Sequence, residues 1–426
     1  MINSIKNTNS KKYANYVFIL LFLLYMFDYI DRVIVTSMFS FIEKDWGITH
    51  TQSGLLISAV YWSIVALTFP VSILVDRWSR SKTIGLMAII WSLATALCAL
   101  TGNFAQLFMA RILIGIGEAG YAPGGTALIS GLYPEEKRAR MIGIWTASIP
   151  LGTAIGILLG GLIATHWGWK HAFGVVAIPG LIIAIMFYFV RDYKTVALSY
   201  TSEKKETIKM RNKDIINEFL GKKSLILTYI GFAFIVFVTT ALITWLSTYF
   251  QVTRGISAAK AGTLSSVVLM LAIVGGPLGG YLADTWHKKN KKARLLFPTI
   301  STLITALLLF VAFQTSGWVQ YAVLLLAGIT VTAFISSTIA VTQDVIHPGL
   351  RATSYAIAVV FQNLLGASTA PIVIGRIYDL RGIETAFYIL PVMLLIGAAL
   401  FYWASHYYLR DVEKVHRLVK TEVEIV

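Results

Sequence analysis

Apolar stretches long enough to cross a membrane recur along almost the whole chain. A helix needs roughly 20 predominantly apolar residues to span the hydrocarbon core of a bilayer. The 426-residue sequence contains twelve stretches near or above that length, at approximately 14–42, 52–74, 83–101, 104–132, 141–165, 171–190, 225–250, 258–283, 295–313, 317–342, 354–376 and 385–408. They leave no room for a soluble domain of useful size. The sequence therefore predicts an all-α polytopic membrane protein with twelve transmembrane helices.

The distribution of basic residues predicts how the chain is oriented. Only 13% of its residues are charged, against about 25% in soluble proteins, yet its formal net charge is +15. If the N-terminus lies inside, 28 of the 36 Lys and Arg fall on the cytoplasmic side, six outside and two within the membrane. This is the positive-inside rule, so the charge reflects topology and not a nucleic-acid partner. We expect a multi-pass, lipid-embedded protein of a bacterial inner membrane with both termini in the cytoplasm.

The two halves of the sequence echo one another. The largest polar interruption, 191–223, contains nine Lys and Arg and separates six apolar stretches from six. The run 72–78, with Asp76, matches the run 280–286, with Asp284, at an offset of 208 residues. Such paired halves are typical of secondary transporters with a substrate site between them near the midplane. The predicted domains are a six-helix bundle at 1–190, a basic cytoplasmic linker at 191–223, and a second six-helix bundle with a cytoplasmic tail at 224–426.

Five charged residues interrupt the first and fourth apolar stretches. Asp28, Asp31 and Arg32 lie in the first, and Arg111 and Glu118 lie in the fourth. A charge at the centre of a bilayer costs at least roughly 2.5–3.5 kcal/mol on insertion scales, so intramembrane charges usually have a function. A spacing of seven residues is close to two helical turns, which places Arg111 and Glu118 on one face about 10 Å apart. Three carboxylates therefore accompany two guanidinium groups, and we expect them to face an aqueous passage between the halves.

This imbalance of charge predicts a proton site. An unpaired carboxylate in a low dielectric binds its proton more tightly than one beside an arginine. Movement of an arginine between partners would therefore change proton affinity during a transport cycle. We expect Asp31 and Glu118 to carry the proton, and Arg32 and Arg111 to bind an anionic substrate or to replace the proton when it leaves. The alternative is a permanent buried ion-pair network that fixes the two helices.

The second half offers polar but uncharged candidates within its apolar stretches. Gln362 and Asn363 are the predicted substrate contacts, although a hydrogen bond between helices is an equally good interpretation of both. Tyr29, in the first half, is predicted to line the cavity, with simple packing as the alternative. Arg376 and Asp379 lie at the outer end of the eleventh stretch, where we expect them to be solvated.

The loop after the second apolar stretch resembles a known family motif. Its pattern is Ser-x-x-x-Asp76-Arg77-x-Ser-Arg80-x-Lys, which is similar to Gly-x-x-x-Asp-Arg-x-Gly-Arg-Arg of the major facilitator superfamily, with Ser at both glycine sites. The resemblance covers essentially the whole chain and implies the major facilitator fold. It also implies that Asp76, Arg77 and Arg80, with Asp284 as their echo in the second half, form a gate. An ordinary anchor obeying the positive-inside rule is the alternative.

Two branches of that superfamily share the charged segments. Tyr29-Ile-Asp31-Arg32 and the run 111–120, Arg-Ile-Leu-Ile-Gly-Ile-Gly-Glu-Ala-Gly, resemble both the anion:cation symporters and the Spinster-like carriers of lysolipids and sphingoid lipids. The first branch implies proton-coupled symport of a small organic anion, such as a sugar acid, by alternating access. The second implies a carrier of lysolipids or other amphiphiles. A proton-coupled exporter is a further alternative.

The sequence predicts a carrier and not an enzyme. It contains no His-rich metal cluster, nucleophile–base pair or Walker-type glycine loop, and its one cysteine, Cys98, lies within an apolar stretch. We therefore expect no cofactor and no bound metal, with the proton gradient as the source of energy. The expected partners are protons and a small anionic substrate, and the expected state is a monomer.

Overall fold

Twelve helices, as predicted, make up nearly all of the described chain. The structure is a computed structural model that describes residues 11–77, 79–133, 135–191, 218–347 and 350–425. In chain order the helices are α1 (11–46), α2 (His50–Arg77), α3 (Arg80–Ala99), α4 (104–132), α5 (135–167), α6 (Trp169–Tyr188), α7 (Lys223–Arg254), α8 (258–289), α9 (Ala293–Gln314), α10 (317–344), α11 (351–381) and α12 (Ile383–Ile425). Most of the predicted linker, 192–217, lies outside the described residues.

Ten of these helices are long and apolar enough to cross a membrane by length and composition. The other two are α1 and α4, the helices that carry the five predicted intramembrane charges. Both have an interrupted backbone: α1 consists of Lys11–Val33, a 3-10 segment Ile34–Met38 and Phe39–Trp46, and α4 consists of Phe104–Glu118 and Tyr121–Leu132. Both helices with intramembrane charges are thus irregular, and α5 of the same half is also interrupted, between Glu135–Thr146 and Ser148–Trp167.

The two halves pack their helices in the same order. In the first half α3 lies along α6 and α1 along α5, and in the second half α9 lies along α12 and α7 along α11. Helices at equivalent positions, six apart in chain order, therefore make equivalent contacts in the two halves, as expected for a duplicated bundle. Large aromatic side chains fill the interior of both bundles, among them Trp91, Phe173, Phe187, Trp245, Phe387 and Phe401.

A glycine stripe brings α5 against α1. A Cβ atom added at Gly152, Gly156 or Gly160 would overlap the backbone of α1, at Met26, Ile30 and Ile34 respectively. Small residues at four-residue spacing permit such close approach of membrane helices. The first half therefore holds its charged helix α1 by direct backbone contact.

The halves join at one end of the molecule, which we call the closed end. There α2 meets α11 and α5 meets α8, with Gly54 against Pro371 and Gly161 against Ala258. Hydrogen bonds between the halves include Ser58 Oγ to Ser368 O at 2.6 Å. The opposite, or terminal, end carries the start of α1 beside the ends of α4 and α6, since Tyr133 and Arg191 hydrogen-bond to residues 13–15.

The last helix continues well past the length of a membrane span. α12 is 43 residues long, and its extension returns to the start of α7. Asp411 accepts hydrogen bonds from Ser224 N at 3.1 Å and from Ser224 Oγ at 2.7 Å. This carboxylate satisfies a backbone donor that a helix N-terminus otherwise leaves unpaired, so the predicted tail is a structured part of the second half.

Candidate substrate and proton site

Arg111 holds the point at which α1 changes from α-helix to 3-10 helix. It is fully buried, and it donates to Leu56 O at 3.1 Å, to Asp31 O at 2.9 Å and to Arg32 O at 2.6 Å. Carbonyl groups at the end of an α-helix have no partner within the helix, and the 3-10 segment begins at Ile34. The guanidinium therefore caps the broken helix and ties α1, α2 and α4 together. Its predicted substrate contact stays a prediction, because in this conformation its hydrogen bonds go to the backbone.

Arg32 is shared between two carboxylates. Its Nη2 donates a hydrogen bond to Asp28 Oδ2 at 3.0 Å and lies 2.8 Å from Glu118 Oε2. The guanidinium carbon also lies 4.6 Å from the centre of the Tyr29 ring and 5.5 Å from that of Tyr61, within the range of a cation–π contact. The charges of α1 and α4 therefore meet at Arg32, which lies between Asp28 of its own helix and Glu118 of α4.

Glu118 is bound less completely than Asp28. Arg32 donates its hydrogen bond to Asp28, whereas both oxygens of Glu118 are buried and accept no hydrogen bond of ordinary geometry from the described residues. The contact between Arg32 and Glu118 is thus an ion pair by distance alone. Of the two carboxylates, Glu118 is the one whose loss of charge would disturb fewer hydrogen bonds.

Asp31 faces away from this cluster. Its side chain lies beside Thr95 of α3, but the Thr95 hydroxyl donates to Trp91 O at 3.0 Å, and neither carboxyl oxygen of Asp31 accepts a hydrogen bond of ordinary geometry from the described residues. Adjacent residues of a helix diverge by about 100°, which explains why Asp31 and Arg32 point to different neighbours. Asp31 is therefore not part of the cluster formed by Asp28, Arg32 and Glu118.

The charged residues are more enclosed than the sequence suggests. Asp31 and Arg111 have no exposed surface, Asp28 and Glu118 expose 1% and 4%, and Arg32 exposes 9%. Only Arg32 keeps appreciable access to solvent in this conformation. The expectation that the whole cluster faces an aqueous passage is thus wrong in detail, since four of its members are sealed within the first bundle.

An aromatic wall continues along α1 from Arg32. Tyr25 stacks on Trp145 with ring centres 4.4 Å apart and meets Tyr29 edge-on at 5.4 Å. Trp145 also donates to Leu21 O at 3.3 Å. Tyr29 is half-buried, whereas Tyr25 and Trp145 are buried. Tyr29 is therefore both the aromatic partner of Arg32 and the most accessible of these three rings.

The second half contributes a polar irregularity in α11. The segment Gln362–Ala367 is a π-helix between two α-helical pieces, a form that is often found at functional sites. Asn363 Nδ2 donates to Val359 O at 3.0 Å, so part of its hydrogen-bonding capacity is used within α11. Gln362 Nε2 is buried and has no hydrogen-bond partner in the described chain. Of the two predicted contacts, Gln362 therefore has the spare donor.

Of the predicted gate residues, Asp284 has a side chain within the described part of the structure. The side chains of Asp76, Arg77 and Arg80 lie outside the described part of the structure. Asp284 pairs with Arg294 at 2.7 Å near the terminal end. Arg294 also lies 3.7 Å from Asp344 on α10, so Asp284 belongs to an ion-pair network within the second half. A role for it as a gate stays a prediction.

The closed end has a contact that the sequence did not suggest. Asp379 of α11 accepts hydrogen bonds from the backbone N–H groups of His50 and Thr51, both at 2.9 Å, and from the Thr51 hydroxyl. Asp379 is exposed, as predicted, and it also caps the N-terminus of α2 from the other half, a contact that the sequence did not predict. The His50 ring stacks on Tyr378 with ring centres 3.5 Å apart, and its Nδ1 lies 3.0 Å from Glu43.

The family can be assigned once this geometry is combined with sequence comparison. A profile described as Major Facilitator Superfamily matches residues 21–370. The chain belongs to the Major Facilitator Superfamily. Members of this superfamily are transporters and not enzymes, as the sequence predicts. In the described ranges, no group of three or more His, Cys, Asp or Glu side chains could hold a metal ion.

Relatives include a sugar-acid transporter and proteins named spinster. The chain is 27% identical over 292 residues to a hexuronate transporter of Bacillus subtilis, which covers 68% of this chain and 69% of the relative. It is 26% identical over 424 residues to protein spinster homolog 1 of Xenopus tropicalis, covering 92% of this chain and 80% of the relative. A solved bacterial homologue of the human lysosomal transporter Spinster, in an inward-facing and unoccupied conformation, superposes with a TM-score of 0.82 at 24% identity over 94% of this chain and 99% of that chain. The fold is therefore that of the superfamily.

Proposed function

We propose that this transporter couples the movement of a proton to the symport of a small organic anion. One observation carries the proposal: Arg32, the most accessible of the five intramembrane charges, lies between Asp28 and Glu118. A substrate carboxylate would bind Arg32 only in competition with these two acids. The ionised carboxylate of Glu118 and the carboxylate of the substrate are therefore alternative partners of the same positive charge, and a proton on Glu118 frees Arg32 for the anion.

The charge balance of the cluster makes the coupling obligatory. With Asp28 and Glu118 ionised and Arg32 positive, the cluster carries one negative charge. An anion that arrives alone would raise this to two negative charges in a low dielectric, where such a change is expensive. If Glu118 takes a proton first, the anion restores the original charge. The loosely bound Glu118 is therefore the proposed proton carrier, and Arg32 with Tyr29 is the proposed anion site.

Asp31 is proposed as a second proton site. Burial of an ionised carboxylate without a hydrogen bond costs far more than burial of a neutral carboxylic acid, and Asp31 is such a group. Arg111 binds the carbonyls of both Asp31 and Arg32, so its charge lies between the two proposed proton sites. A change of charge at Asp31 would thus be felt by the backbone that positions Arg32.

The substrate class follows from the side chains that the two halves offer. The π-segment of α11 offers the Gln362 amide, and no Lys, Arg, Asp or Glu lies in α11 between Arg351 and Arg376. A ligand with one carboxylate and several hydroxyls would satisfy Arg32 and the amide together. Sugar acids have this chemistry, and the hexuronate relative is consistent with it. If both termini are cytoplasmic, the closed end faces outward and the site opens inward.

An amphiphile carrier is the second candidate. On α11, Val360, Leu364 and Leu365 are 43–51% exposed beside the π-segment, an apolar strip that an acyl chain could follow. The relatives named spinster support the same alternative. Such a carrier would bind its anionic headgroup at Arg32 and would place its chain along α11.

Uptake by proteoliposomes separates these candidates. With the outside one pH unit more acidic, one coupled proton can accumulate an anion about tenfold. We expect the wild type to accumulate hexuronate in this way, and we expect Glu118→Gln to exchange hexuronate across the membrane without accumulating it. Arg32→Gln should lose both activities, whereas Glu413→Gln, an exposed acid, is the matched control. Accumulation by Glu118→Gln at the wild-type level would exclude the proposal, and competition by a lysophospholipid without competition by hexuronate would favour the second candidate.

A further inference from the structure

A polar cavity lies at the closed end of the second half, away from the charged cluster. It has a volume of about 450 Å³ and is formed where α7, α9, α10 and α12 end or begin. The residues used below are Tyr249, Arg254, Gly317, Gln320, Glu384 and Tyr388, which all line it. The first half contributes none of the residues that line this cavity. It is therefore separate from the proposed transport site.

The guanidinium of Arg254 is fixed at the edge of this cavity. Its Nε and Nη2 donate to Gln320 Oε1 at 3.1 and 2.6 Å, and Nη2 also donates to Gly317 O at 2.8 Å. The guanidinium carbon lies 5.0 Å from the centre of the Phe250 ring. The Nη1 group has no acceptor among these bonds. A cation that is held rigidly with donors to spare is prepared to receive an anion.

Two buried polar side chains support this arrangement. Gln320 and Tyr249 expose only 4% and 3% of their surface. Gln320 Nε2 donates to the Tyr249 hydroxyl at 3.2 Å, so the proton of that hydroxyl remains available to another acceptor. Polar groups are buried at a free-energy cost unless they are hydrogen-bonded, and here one glutamine satisfies both Arg254 and Tyr249. The cavity wall is therefore a connected polar structure.

Glu384 supplies the opposite charge without meeting Arg254. It lies in the first turn of α12 and lines the same cavity, and it has no ion pair within 4.0 Å to Arg254 among the described contacts. Two opposite charges that face one cavity without touching are complementary to a ligand that carries both charges. An anionic group would lie at Arg254 beside the N-terminus of α10, which begins at Gly317 and favours anions. A cationic group would lie at Glu384.

The position of the cavity indicates which zwitterion it takes. Trp318, next to Gly317, is 80% exposed, and exposed tryptophans at helix ends lie at the membrane–water interface. Tyr388 also borders the cavity and is 39% exposed. A lipid headgroup is the zwitterion present at this depth. Glu384 can accept hydrogen bonds from a primary ammonium, whereas a quaternary ammonium offers no N–H donor.

We infer that this cavity binds the headgroup of an aminophospholipid, with its phosphate at Arg254 and its primary ammonium at Glu384. The bound headgroup would join the ends of α7 and α10 to the start of α12. Glu384 follows Asp379, the residue that caps α2, by five positions. The lipid would therefore stabilise the part of the second half that forms the closed end.

Thermal unfolding of the purified full-length protein tests the inference. The probes are dioleoyl phosphatidylethanolamine, the matching phosphatidylcholine and the matching phosphatidylglycerol, each added to the same detergent micelles. We expect the ethanolamine lipid to stabilise the wild type at about tenfold lower concentration than the choline lipid, the equivalent of one charge-assisted hydrogen bond. Glu384→Gln should remove this tenfold preference and leave the response to phosphatidylglycerol unchanged.

Three controls keep the test decisive. Glu413→Gln, an exposed acid outside the cavity, should keep the wild-type preference, and so should Lys260→Gln, an exposed cation near the closed end. Equal responses to the ethanolamine and choline lipids, or a preference that survives Glu384→Gln, would overturn the inference. Soluble glycerophosphoethanolamine shares the same headgroup, and stabilisation by it at the concentration effective for the lipid would overturn the assignment to a lipid. Arg254→Gln is a second variant, and it should weaken binding of all three lipids.

Discussion

The two halves of this transporter share one helix arrangement but differ in where they place charge. In the first half, α1 is broken by a 3-10 segment and carries three buried charges, Asp28, Asp31 and Arg32, with Arg111 of α4 holding the break. Its counterpart α7 is an unbroken helix from Lys223 to Arg254, with buried hydroxyls such as Thr244 in its interior. The comparison teaches why a buried arginine accompanies the break in α1: the carbonyl groups that the broken helix leaves without partners accept the hydrogen bonds of Arg111.

Removal of Arg111 should have the largest effect on stability and should show that the folding of the first half depends on this residue. Arg111→Met leaves three buried carbonyls without their donor, and each such loss costs about 1–3 kcal/mol. We expect a total destabilisation of at least about 3 kcal/mol, seen as a large fall in the unfolding temperature and in the yield of folded protein. Thr244→Val in α7 is the matched change in the second half and should cost less than about 1 kcal/mol. Equal effects of the two substitutions would contradict the proposed difference between the halves.

Neutralisation of Asp31 should change coupling while it leaves stability intact. Asp31→Asn preserves the shape of a side chain that accepts no ordinary hydrogen bond, so thermal stability should stay the same or rise. Net accumulation driven by a pH gradient of one unit should fall by up to about tenfold, the amount that one coupled proton supplies. The measurement is uptake into proteoliposomes, with exchange of labelled substrate as the control. Wild-type accumulation would show that Asp31 carries no proton.

Loss of the cap between the halves should have a smaller effect, confined to the closed end. Asp379→Ala removes an N-cap from α2, which is worth about 0.5–2 kcal/mol. We expect the closed end to open more often, by roughly fivefold. A cysteine placed at Ser58, which hydrogen-bonds across the halves, should then react faster with a soluble maleimide. The native Cys98 is buried, so it should add little background labelling.

The control for this labelling is a substitution at an acidic residue whose contacts lie within one half. Asp284→Ala breaks an ion pair within the second half near the terminal end, so it should leave labelling at position 58 unchanged. Faster labelling in both variants would mean that the Ser58 position reports general loosening and not the Asp379 cap.

The smallest expected effect lies in the second half. Gln362→Leu removes the unpaired amide on the π-segment and leaves the charged cluster untouched. We expect a rise in KM for the anion of about fivefold, the value of one hydrogen bond, with coupling to protons unchanged. Transport kinetics over a range of substrate concentrations measure this. A loss of coupling in this variant would place part of the proton chemistry in the second half and would end the simple division between the halves.

The fold could be predicted from the sequence because it rests on local pattern. Apolar length identified the twelve helices, and the echo between Asp76 and Asp284 identified the two halves. The meeting of Arg32 with Glu118 was also accessible, since intramembrane charges in low dielectric must find partners. These features follow from the bilayer, which restricts the structures that a chain can adopt.

The remaining features depend on contacts between distant residues. The cap formed by Asp379 joins positions 328 and 329 residues apart, and no local pattern pairs them. The 3-10 segment 34–38 contains neither glycine nor proline, and the carbonyl groups at its start accept hydrogen bonds from Arg111, in a distant part of the chain, and from the Thr36 and Ser37 hydroxyls, which donate to Val33 O and Ile34 O. The π-segment in α11 likewise has no recognised sequence signal.

The double contact of Arg111 also limits how the first half can move. One rigid, planar group is attached to the carbonyls of two successive residues, so neither peptide unit can rotate without pulling on the other. These two residues are Asp31, the second proposed proton site, and Arg32, the proposed anion site, and their side chains extend in different directions. A local tilt of little more than one peptide would therefore reorient both at once, and the transporter could link its two ligands without a long relay of intervening groups.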